Sequence, residues 1–535
     1  MKKIFLTALF ASVVLTGCSD AYDIHQAGVV TEESQVFTNA EDVGKGIRYV
    51  YSQFSGETEI DFDSFFTDEL GVGAANAGQG INDGSYTFIL QAGNGNVQGI
   101  WGSYYGAVNR LNRILNRIDE LLVEPNAEVD DLKSYKAQAL VLRAFCHYKL
   151  FAFFTPDYTN PNGLSVIKFD FLQTSDYSRY EKRATVGEIV SFIENDIAKA
   201  KELIRKPDGS LAPLLPGGNM SGTGYASNEM MEAILIKMYS MLQTDDAYAK
   251  LEVAFNELSN SKSLASVGEY ASLFGEGAES ASNEGIFKLN RVSTQGSSTS
   301  GVAGSWYPAE VGKSPYMEMG RSLYNELDKL DPSKQGTVYS NDRLDARYVI
   351  SVFNNSKVAP NYASLSPEDY RNKDILNIGK YTGIRNRPLM NSLWMFRYTD
   401  MLLALAEKRA HEGNISGTVA LNDYSNVESI IYNIRANRNL GGNTPVTMPT
   451  NFSSKQQAFA RILEERRVEF AFEGQRYLDM KRLGVRASSP GFVRDPQDCA
   501  STNACSLEPT SLKLTMPIPR SEMVSNPNMV QNPGY

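Results

Sequence analysis

The side chains that most often perform acid–base or metal chemistry are too scattered in this sequence to mark a catalytic site. The 3 histidines, His25, His147 and His411, show no metal-ligand spacing. The sequence has no Gly-x-Ser-x-Gly elbow, Walker loop or His-Glu-x-x-His motif. Acidic residues are numerous enough to leave a glycoside-hydrolase pair open, but nothing sets two of them apart. We therefore predict no catalytic residues and no cofactor.

A cation site has little support. Asp61 and Asp63 stand one residue apart and could each offer an oxygen ligand. Calcium takes six to eight oxygens, often from a denser acidic run that includes a turn glycine. Two aspartates fall short of that pattern, so we predict no bound metal.

A dense cluster of charged residues lies near the carboxyl terminus. Its members are Glu464, Glu465, Arg466, Arg467, Glu469, Glu473, Arg476, Asp479, Lys481 and Arg482. On a helix, many of them stand three or four positions apart with opposite signs, which is the spacing of side-chain ion pairs. The functional alternative is an acid–base centre. We predict a structural network that ties the last helix to its neighbours.

Aromatic residues in a Gly/Ser-rich loop have no role that periodicity explains. Trp306 and Tyr307 stand together there, and Tyr316 follows. Such rings stack on the C–H faces of sugars with a large contact area and few rotatable bonds to immobilise. In contrast, Trp101 and Trp394 fall on apolar helical patterns and are expected in the core. Trp306 and Tyr307 are therefore the first candidates for ligand contact.

A second candidate surface precedes the helix that contains Trp101. Its residues are Phe65, Phe66, Asp68, Glu69, Asn76, Asn82 and Tyr86. Acidic and amide side chains can fix sugar hydroxyls by hydrogen bonds. The alternative is a loop that packs only on its own scaffold. From the two surfaces we select Trp306, Tyr307, Tyr316, Asp68, Asn82 and Tyr86 as the predicted ligand-binding residues.

Helical periodicity dominates the elements that would hold these loops. Apolar residues recur every three or four positions from Val97 to Leu122, which predicts a helix with one buried face. From Leu132 to Phe154 they occupy more than one face, which indicates burial between neighbouring helices, and Pro156 ends the pattern. Further helices are predicted from Thr185, with Glu188 completing a capping box, and over Ser227–Leu242, Ala247–Leu258, Leu393–His411, Val427–Asn437 and Lys455–Leu483.

Long stretches rich in Gly, Ser and Asn separate these helices. The main ones are Gly71–Gly99, Ser293–Ser314 and Arg486–Ser511. Loops of this length are uncommon in compact domains unless they are functional, and binding residues concentrate on such insertions. The paired helices, joined by short turns, resemble tetratricopeptide hairpins.

The amino terminus has the pattern of a bacterial lipoprotein signal. Lys2 and Lys3 precede a short apolar stretch that ends in Leu-Thr-Gly-Cys at Cys18. The alternative is an ordinary signal peptide in which the cysteine is incidental. We predict cleavage before Cys18 and its acylation, with several acyl chains anchoring the protein and residues 18–38 serving as a tether.

Composition and charge are those of an ordinary exported globular protein. The hydrophobic fraction is 42% and the charged fraction 21%, and no second apolar run is long enough for a membrane helix. The net charge of −10 argues against nucleic acid, whose phosphates need clustered Lys and Arg.

Cys146 falls in an apolar helical pattern and is expected to be a buried thiol. Cys499 and Cys505 bracket a short polar loop and are expected to form a disulfide in an oxidising compartment.

Several segments resemble, in order along the chain, the signature segments of the RagB/SusD family. WGSYYGAVNRLNRIL at Trp101–Leu115 is similar to the family's early Trp/Tyr/Asn helix, and KAQALVLRAFCHYKLF at Lys136–Phe151 is similar to its second helix. RYTDMLLALAE at Arg397–Glu407 and RILEERRVEFAFEGQRYLDMKRLG at Arg461–Gly484 resemble later helices of the family. The ending LTMPIPRSEMVSNPNMVQNPGY resembles the family's terminus. The resemblance covers nearly the whole chain.

The resemblance implies a mostly α-helical fold, a SusD-like scaffold of tetratricopeptide-like hairpins with long irregular loop insertions. It also implies an outer-membrane surface lipoprotein that captures oligosaccharides and delivers them to a SusC-like TonB-dependent transporter. Residues 1–17 would be the signal peptide, 18–38 the tether and 39–535 one SusD-like domain. Within that domain, helices would reach to about 290, ligand-binding loops would occupy about 291–390 and 60–99, and C-terminal helices and the tail would follow from about 391.

Three alternatives differ in what they require. A peptide-binding protein on the same scaffold needs main-chain hydrogen-bond partners and no stacking platform. A glycoside hydrolase needs two converging carboxylates. A purely structural repeat protein has no need of long loop insertions. We predict a glycan-binding protein that is not an enzyme.

Overall fold

A computed structural model gives the fold of the chain. It describes residues 36–54, 56–173, 179–214, 222–274, 283–290, 306, 314–337, 342–381, 383–384, 387–388, 391–442, 444–445, 447–448 and 451–535. The predicted signal peptide, Cys18, most of the tether and Tyr307 lie outside these residues. Helices dominate the described part of the chain, which confirms the mostly α-helical class predicted from the sequence.

The helices and strands are labelled here in chain order. The helices are α1 Ala40–Tyr51, α2 Gly56–Phe66, α3 Gly95–Leu121, α4 Val129–Phe154, α5 Val186–Leu203, α6 Asn228–Leu242, α7 Asp245–Ser259, α8 Val267–Ser272, α9 Arg321–Asp328, α10 Ala346–Ser351, α11 Pro367–Lys373, α12 Tyr398–Glu412, α13 Val427–Ala436, α14 Lys455–Glu469, α15 Arg476–Leu483, α16 Pro496–Cys499 and α17 Arg520–Ser525. The strands are β1 Leu70–Val72, β2 Gly285–Leu289, β3 Met317–Met319, β4 Gly383–Ile384, β5 Arg387–Pro388, β6 Leu393–Arg397, β7 Phe492–Val493 and β8 Ser506–Leu507. In the described residues they form antiparallel pairs, β1 with β3, β2 with β6, β4 with β5 and β7 with β8.

Helices α3 and α4 form the central pair of the N-terminal half. The predicted apolar stripe of α3 is buried, with no exposed surface at Val97, Tyr104 or Leu111. Helix α4 is buried on more than one side because it packs against α1, α3, α5 and α6. It ends at Phe154, two residues before Pro156, which cannot continue a helix.

The next helices repeat this pairing. The capping box at α5 is present, because the Thr185 hydroxyl accepts from the Glu188 amide at 3.2 Å while the Thr185 amide donates to the Glu188 carboxylate at 2.7 Å. Helices α6 and α7 pack together, with Ser227 and Thr244 as their N-caps. Helix α12 packs against α6, α7, α13 and α14. Stacked helix pairs thus form the scaffold.

The structure corrects the helix predicted over Leu393–His411, because its first five residues form strand β6. This strand pairs with β2, and Trp394 lies opposite Lys288. All five residues of β6 are buried. A short apolar run buried on both faces has no period that separates a strand from a helix, so the pattern could not place the boundary. Trp394 is in the core, as expected, at 3% exposure.

The structure also corrects the single helix predicted over Lys455–Leu483. The chain leaves α14 after Glu469 and enters α15 at Arg476. Between them, Phe472 has a φ of 63° and Gly474 a φ of 72°, in the left-handed region that a helix cannot use. The charged residues keep a helical spacing on both sides of this turn, which is why the sequence read as one helix.

Most of the charged cluster forms a buried network of ion pairs, as predicted, whereas Glu464 pairs with Arg461 at the surface and Lys481 donates to the carbonyls of Ala152 and Thr155. Glu469 of α14 pairs with Arg397 at 3.0 Å and with Arg438 at 2.9 Å. Burial would raise the pKa of the Glu469 carboxyl, but the guanidinium groups outweigh it and hold this pKa well below its usual range. Further pairs in the network are Arg347–Glu465, Arg435–Glu465, Lys380–Glu473, Arg466–Asp400, Arg466–Asp479, Arg476–Asp68 and Arg482–Glu407. They tie α14 and α15 to their neighbours.

Candidate functional site

A two-stranded ribbon joins the two regions in which the sequence predicted ligand contacts. Strand β1 begins the stretch that leads to α3, which we call the N-terminal loop (residues 73–94). It pairs with β3, which follows the Gly/Ser-rich stretch that contains Trp306, so that Leu70 lies opposite Met319. The connection continues beyond the strands, because the Gly73 amide donates to the Tyr316 carbonyl at 3.1 Å. The Asn76 side-chain amide donates to the same carbonyl at 3.0 Å. Regions more than two hundred residues apart in sequence are thus fixed to each other.

The N-terminal loop has a defined shape. Gly80 and Gly84 have φ angles of 71° and 82°, which other residues rarely adopt. A Cβ atom on Gly80 would lie 2.1 Å from Cδ1 of Phe65, so the loop backbone lies directly on that ring. Asp83 Oδ1 accepts from the amide of Ser85 at 2.9 Å. These contacts fix the backbone from which the next side chains project.

A groove of about 530 Å³ lies between this loop and the first turn of α3. It is lined by Ile81, Asn82, Asp83, Gly84, Ile89, Gln91, Gly93, Asn94, Gly95 and Asn96. Asn94 is the N-cap of α3, and its Oδ1 accepts from the Asn96 amide at 2.9 Å. We call this depression the amide groove, because amide side chains supply most of its polar lining.

Three amide side chains of the groove are available to a ligand. Asn82 and Gln91 are exposed and Asn96 is half-buried. None of these three side chains forms a hydrogen bond with another residue in the described part of the chain. Each amide can both donate and accept hydrogen bonds. Ile89, which is 49% exposed, adds an apolar surface beside them, so the groove suits a ligand with many hydroxyls and some C–H surface.

Two predicted ligand residues near the groove instead hold the loop in place, which corrects their assignment. Asp68 is 1% exposed and pairs with Arg476 at 2.9 Å and Arg467 at 3.1 Å. Burial opposes ionisation, but these two cations outweigh it and lower the pKa of Asp68. Tyr86 has no exposed surface, and its hydroxyl donates to the Leu70 carbonyl at 3.3 Å. Side chains enclosed in this way present no surface to a sugar.

Trp306 requires the same correction. Its side chain has no exposed surface, and its ring packs against Phe472 in the turn between α14 and α15, with ring centroids 5.7 Å apart. An aromatic ring in that position fills the core. Tyr307 lies outside the described residues, and its role stays a prediction. Tyr316 is 44% exposed and stays a candidate.

Of the predicted ligand residues, Asn82 lines the groove. Of the others considered with it, Phe65, Phe66 and Glu69 are buried and Asn76 braces the ribbon. The sequence prediction missed Gln91, Asn94 and Asn96. The segment Gln91–Asn96 could have indicated them, because amides and glycines alternate there across the start of the helix. Asn at the end of a loop indicates a helix cap, and the neighbouring amides then face the same side.

Two buried carboxyls under the ribbon are enclosed by protein donors. Burial raises the pKa of Glu318 to about 8 and that of Asp498 to about 7. Asp498 accepts from the Arg321 amide at 2.7 Å and from the Tyr370 hydroxyl at 2.7 Å. Neither carboxyl lines the amide groove. Their arrangement supports the ribbon and does not form an acid–base pair across a cleft.

The predicted disulfide lies next to Asp498. Cys499 and Cys505 are bonded, with Cα atoms 5.2 Å apart, and Cys146 is a buried free thiol. The Tyr86 hydroxyl donates to the Asp498 carbonyl at 3.2 Å. The segment next to the disulfide is therefore bonded to the N-terminal loop.

Neither a metal site nor a membrane-spanning helix is found among the described residues. No cluster of three His, Cys, Asp or Glu side chains there could hold a metal ion. Asp63, from the pair considered for calcium, instead accepts from the Tyr477 amide at 2.6 Å. None of the described helices is both long and apolar enough to cross a lipid bilayer.

Together, the stacked helix pairs and the groove define a helical scaffold protein with a candidate binding groove on its loops. The model of the SusD family matches residues 271–535. A second family model, described as starch-binding and associating with the outer membrane, matches residues 29–212. The chain belongs to the SusD/RagB family, as its sequence segments indicated.

Individual relatives agree with this assignment. The chain is 24% identical over 573 aligned residues to SusD-like protein P2 of Formosa agariphila, and the alignment covers all of both chains. A SusD superfamily structure from Bacteroides thetaiotaomicron aligns with a TM-score of 0.66 at 20% identity, covering 92% of this chain and 100% of that one. A SusD-like carbohydrate binding protein from Bacteroides vulgatus aligns with a TM-score of 0.65 at 15% identity, covering 92% and 97%. These structures establish a shared fold.

Proposed function

We propose that this protein is a cell-surface lipoprotein that binds oligosaccharide nutrients in the amide groove and delivers them to a SusC-like TonB-dependent transporter. The observation that carries the binding proposal is the set of free side-chain amides at Asn82, Gln91 and Asn96. Because the backbone that carries these amides is already fixed, binding has to immobilise only their side chains and does not also have to order the loop. The carbohydrate-binding SusD-like relative supports the same ligand class.

A glycan fits the groove better than a peptide does. Peptides often bind by adding a strand to a sheet edge, where main-chain groups supply most of the hydrogen bonds. The ribbon next to the groove does not offer such an edge, because every residue of β1 and β3 is buried. The groove presents side-chain amides instead, which match the alternating donors and acceptors of a sugar.

The groove is suited to binding without hydrolysis. Glycoside hydrolysis ordinarily uses two carboxyl groups on either side of the scissile bond. Asp83 supplies the one carboxylate among the lining residues of the groove. We therefore propose that the ligand leaves the groove chemically unchanged.

The membrane anchor and the transporter complete the proposal. Acylated Cys18 would hold the protein at the outer membrane, and the matching family model is described as associating with that membrane. An open groove buries only part of a ligand, so its intrinsic affinity is expected to be weak. Capture next to a transporter compensates, because a tethered partner raises the effective concentration of the ligand.

A binding screen with product analysis tests the proposal. The chain lacking residues 1–18 is titrated by calorimetry with panels of oligosaccharides and of peptides, and each sugar is analysed afterwards by chromatography. We expect binding of at least one oligosaccharide, no peptide binding and no shortened products. Peptide binding alone would support the alternative ligand, and shortened products would show an enzyme.

A further inference from the structure

The amide groove carries negative charge and lacks a cation among its lining residues. Asp83 is the ionisable side chain that lines it, and Asp83 Oδ2 has no hydrogen-bond partner in the described chain. Asp61 and Glu57 of α2 place two more carboxyls near Asp83. Burial raises the pKa of Asp61 to about 6, and the neighbouring charges of Asp83 and Glu57 add to that rise. The effect of Asp83 on Asp61 shows that these two carboxyls lie close enough to interact at this edge of the groove.

Two cations on the other side of the loop, Lys513 and Arg494, contact other groups of the protein. Lys513 donates to the Leu90 carbonyl at 3.1 Å and lies 4.0 Å from the ring centre of Tyr535. The Arg494 guanidinium is buried 3.8 Å from the ring centre of Tyr86. Neither side chain lines the groove. Among the lining residues, a ligand meets amides, one carboxylate and no cationic side chain. The N-terminus of α3 adds only a partial positive charge, and the exposed Arg520, whose amide donates to the Ala92 carbonyl at 2.9 Å, is not among the lining residues.

We propose that the amide groove selects uncharged glycans and disfavours glycans that carry uronate or sulfate groups. This inference rests on the proposed function and specifies its ligand class. A neutral sugar can donate hydroxyl hydrogen bonds to Asp83 and exchange others with the amides. An anionic substituent repels Asp83 and loses its hydration without gaining an ionic partner.

Calorimetry with two probe panels tests the ligand class. The neutral panel contains malto-, cello-, manno-, xylo- and inulin oligosaccharides, and the anionic panel contains oligogalacturonates and sulfated carrageenan oligosaccharides. We expect a neutral probe to bind at least about tenfold more tightly than any anionic probe at low salt. Its affinity should not change with salt, and the Asn82→Ala variant should bind it about twofold to tenfold more weakly.

The Asp83→Asn variant isolates the electrostatic part of the selection. Removing this charge should raise the ratio of anionic to neutral affinity by about threefold to tenfold. Asp130→Asn is the matched control, because Asp130 is exposed beyond the far end of α3. The 27 residues of α3 separate that end from the groove by about 40 Å, so this variant should leave the ratio unchanged.

The outcomes separate the two proposals. If an anionic probe binds more tightly than every neutral probe, and Asn82→Ala weakens that binding, the ligand class is overturned and the proposed function stands. If neither panel binds, the proposed function is contradicted and this inference falls with it.

Discussion

At the scale of single residues, the charge state of a buried carboxyl follows from the partner that it meets. Glu318 accepts hydrogen bonds from the Ser314 hydroxyl and the Leu376 amide, which are neutral donors, and burial raises its pKa to about 8. Glu465 is equally buried, but Arg435 and Arg347 outweigh the burial and lower its pKa to about 2. Burial therefore favours a higher pKa in both glutamates, and a cationic partner decides whether the net shift is upward or downward.

The first prediction concerns Glu318→Gln and pH. Because the folded pKa of Glu318 is raised from 4.5 to about 8, its stabilising contribution is full below pH 4.5 and is lost as pH rises to about 8. Gln does not titrate; its amide oxygen can still accept from the Leu376 amide, and its NH2 group can donate to the Ser314 hydroxyl once that hydroxyl turns to accept. We expect the variant to be more stable than the parent protein by about 2–4 kcal/mol at pH 9. Thermal unfolding between pH 5 and pH 9 measures the difference.

Glu464→Gln is the control for that experiment. The Glu464 side chain is 56% exposed and pairs with Arg461 on the surface. Its change should leave the pH profile of unfolding close to that of the parent protein. Parallel profiles for the parent protein and Glu318→Gln would show that Glu318 does not titrate in this range.

The second prediction concerns the ion-pair network. Arg397 is 2% exposed and pairs with Glu469, Glu473 and Glu284. Arg397→Met leaves three buried carboxylates with one cation fewer among them. We expect a loss of about 3–5 kcal/mol in the free energy of unfolding, because an uncompensated buried charge is costly. Chemical denaturation followed by circular dichroism measures this loss.

The matched surface variant is Arg461→Met. Arg461 lies on α14 and pairs with Glu464 at 3.1 Å, with the two side chains 31% and 56% exposed. An exposed pair contributes about 0–1 kcal/mol, so this variant should be nearly as stable as the parent protein. Equal losses in the free energy of unfolding from both substitutions would show that the buried ion pairs stabilise the protein no more than the exposed pair does.

The individual ligand-contacting residues are the part of the site that was hardest to predict from the sequence. Trp306 was singled out because its loop has no periodicity, yet its ring is buried against Phe472. Loop composition does not reveal whether a loop residue packs inward, since that depends on contacts with distant parts of the chain. Asn82, a predicted ligand-binding residue, lines the groove, whereas Gln91 and Asn96 were not considered. Their convergence depends on how the loop folds back to the start of α3.

At the scale of elements, the sequence predicted long amphipathic helices well and short buried elements poorly. Helix α3 was predicted at Val97–Leu122 and is found at Gly95–Leu121. The prediction succeeded because its apolar residues recur on one face over many turns. Strand β6 was assigned to a helix because its pairing with β2 is a long-range contact. Pairing between distant segments leaves no local period in the sequence.

The third prediction concerns the turn between α14 and α15. Gly474 has a φ of 72°, and a Cβ atom there would lie 3.0 Å from Cγ1 of Ile60. Gly474→Ala should destabilise the protein by about 1–2 kcal/mol, through backbone strain and the close contact. Gly268→Ala is the control, because a Cβ atom on Gly268 meets nothing within 4 Å and its φ is not positive.

Chemical denaturation of both glycine variants measures the difference. The control lies in helix α8, where alanine is favoured over glycine, so its stability should stay equal or rise by up to about 1 kcal/mol. Equal stability of the two variants would show that the turn tolerates a side chain and does not require glycine.

At the scale of the whole molecule, rigid helix pairs support loops that reach each other across the sequence. The β1–β3 ribbon, the Asp68–Arg476 pair and the disulfide segment beside Asp498 all hold the N-terminal loop against later parts of the chain. The overall class and family could be predicted because several segments in the right order carry that information together. The exact groove could not, because it depends on contacts between residues that are far apart in sequence.

The central claim is that a rigid set of free amides binds a glycan. The most direct test is calorimetric titration of the chain lacking residues 1–18 with its best oligosaccharide, before and after Asn82→Ala combined with Asn96→Ala. Both residues line the groove without structural hydrogen bonds from their side chains among the described residues, so the variant should unfold at the same temperature as the parent protein. We predict a loss of affinity of about fivefold to 150-fold, since each of the two lost hydrogen bonds removes about 0.5–1.5 kcal/mol. Unchanged affinity in the folded double variant would contradict the account.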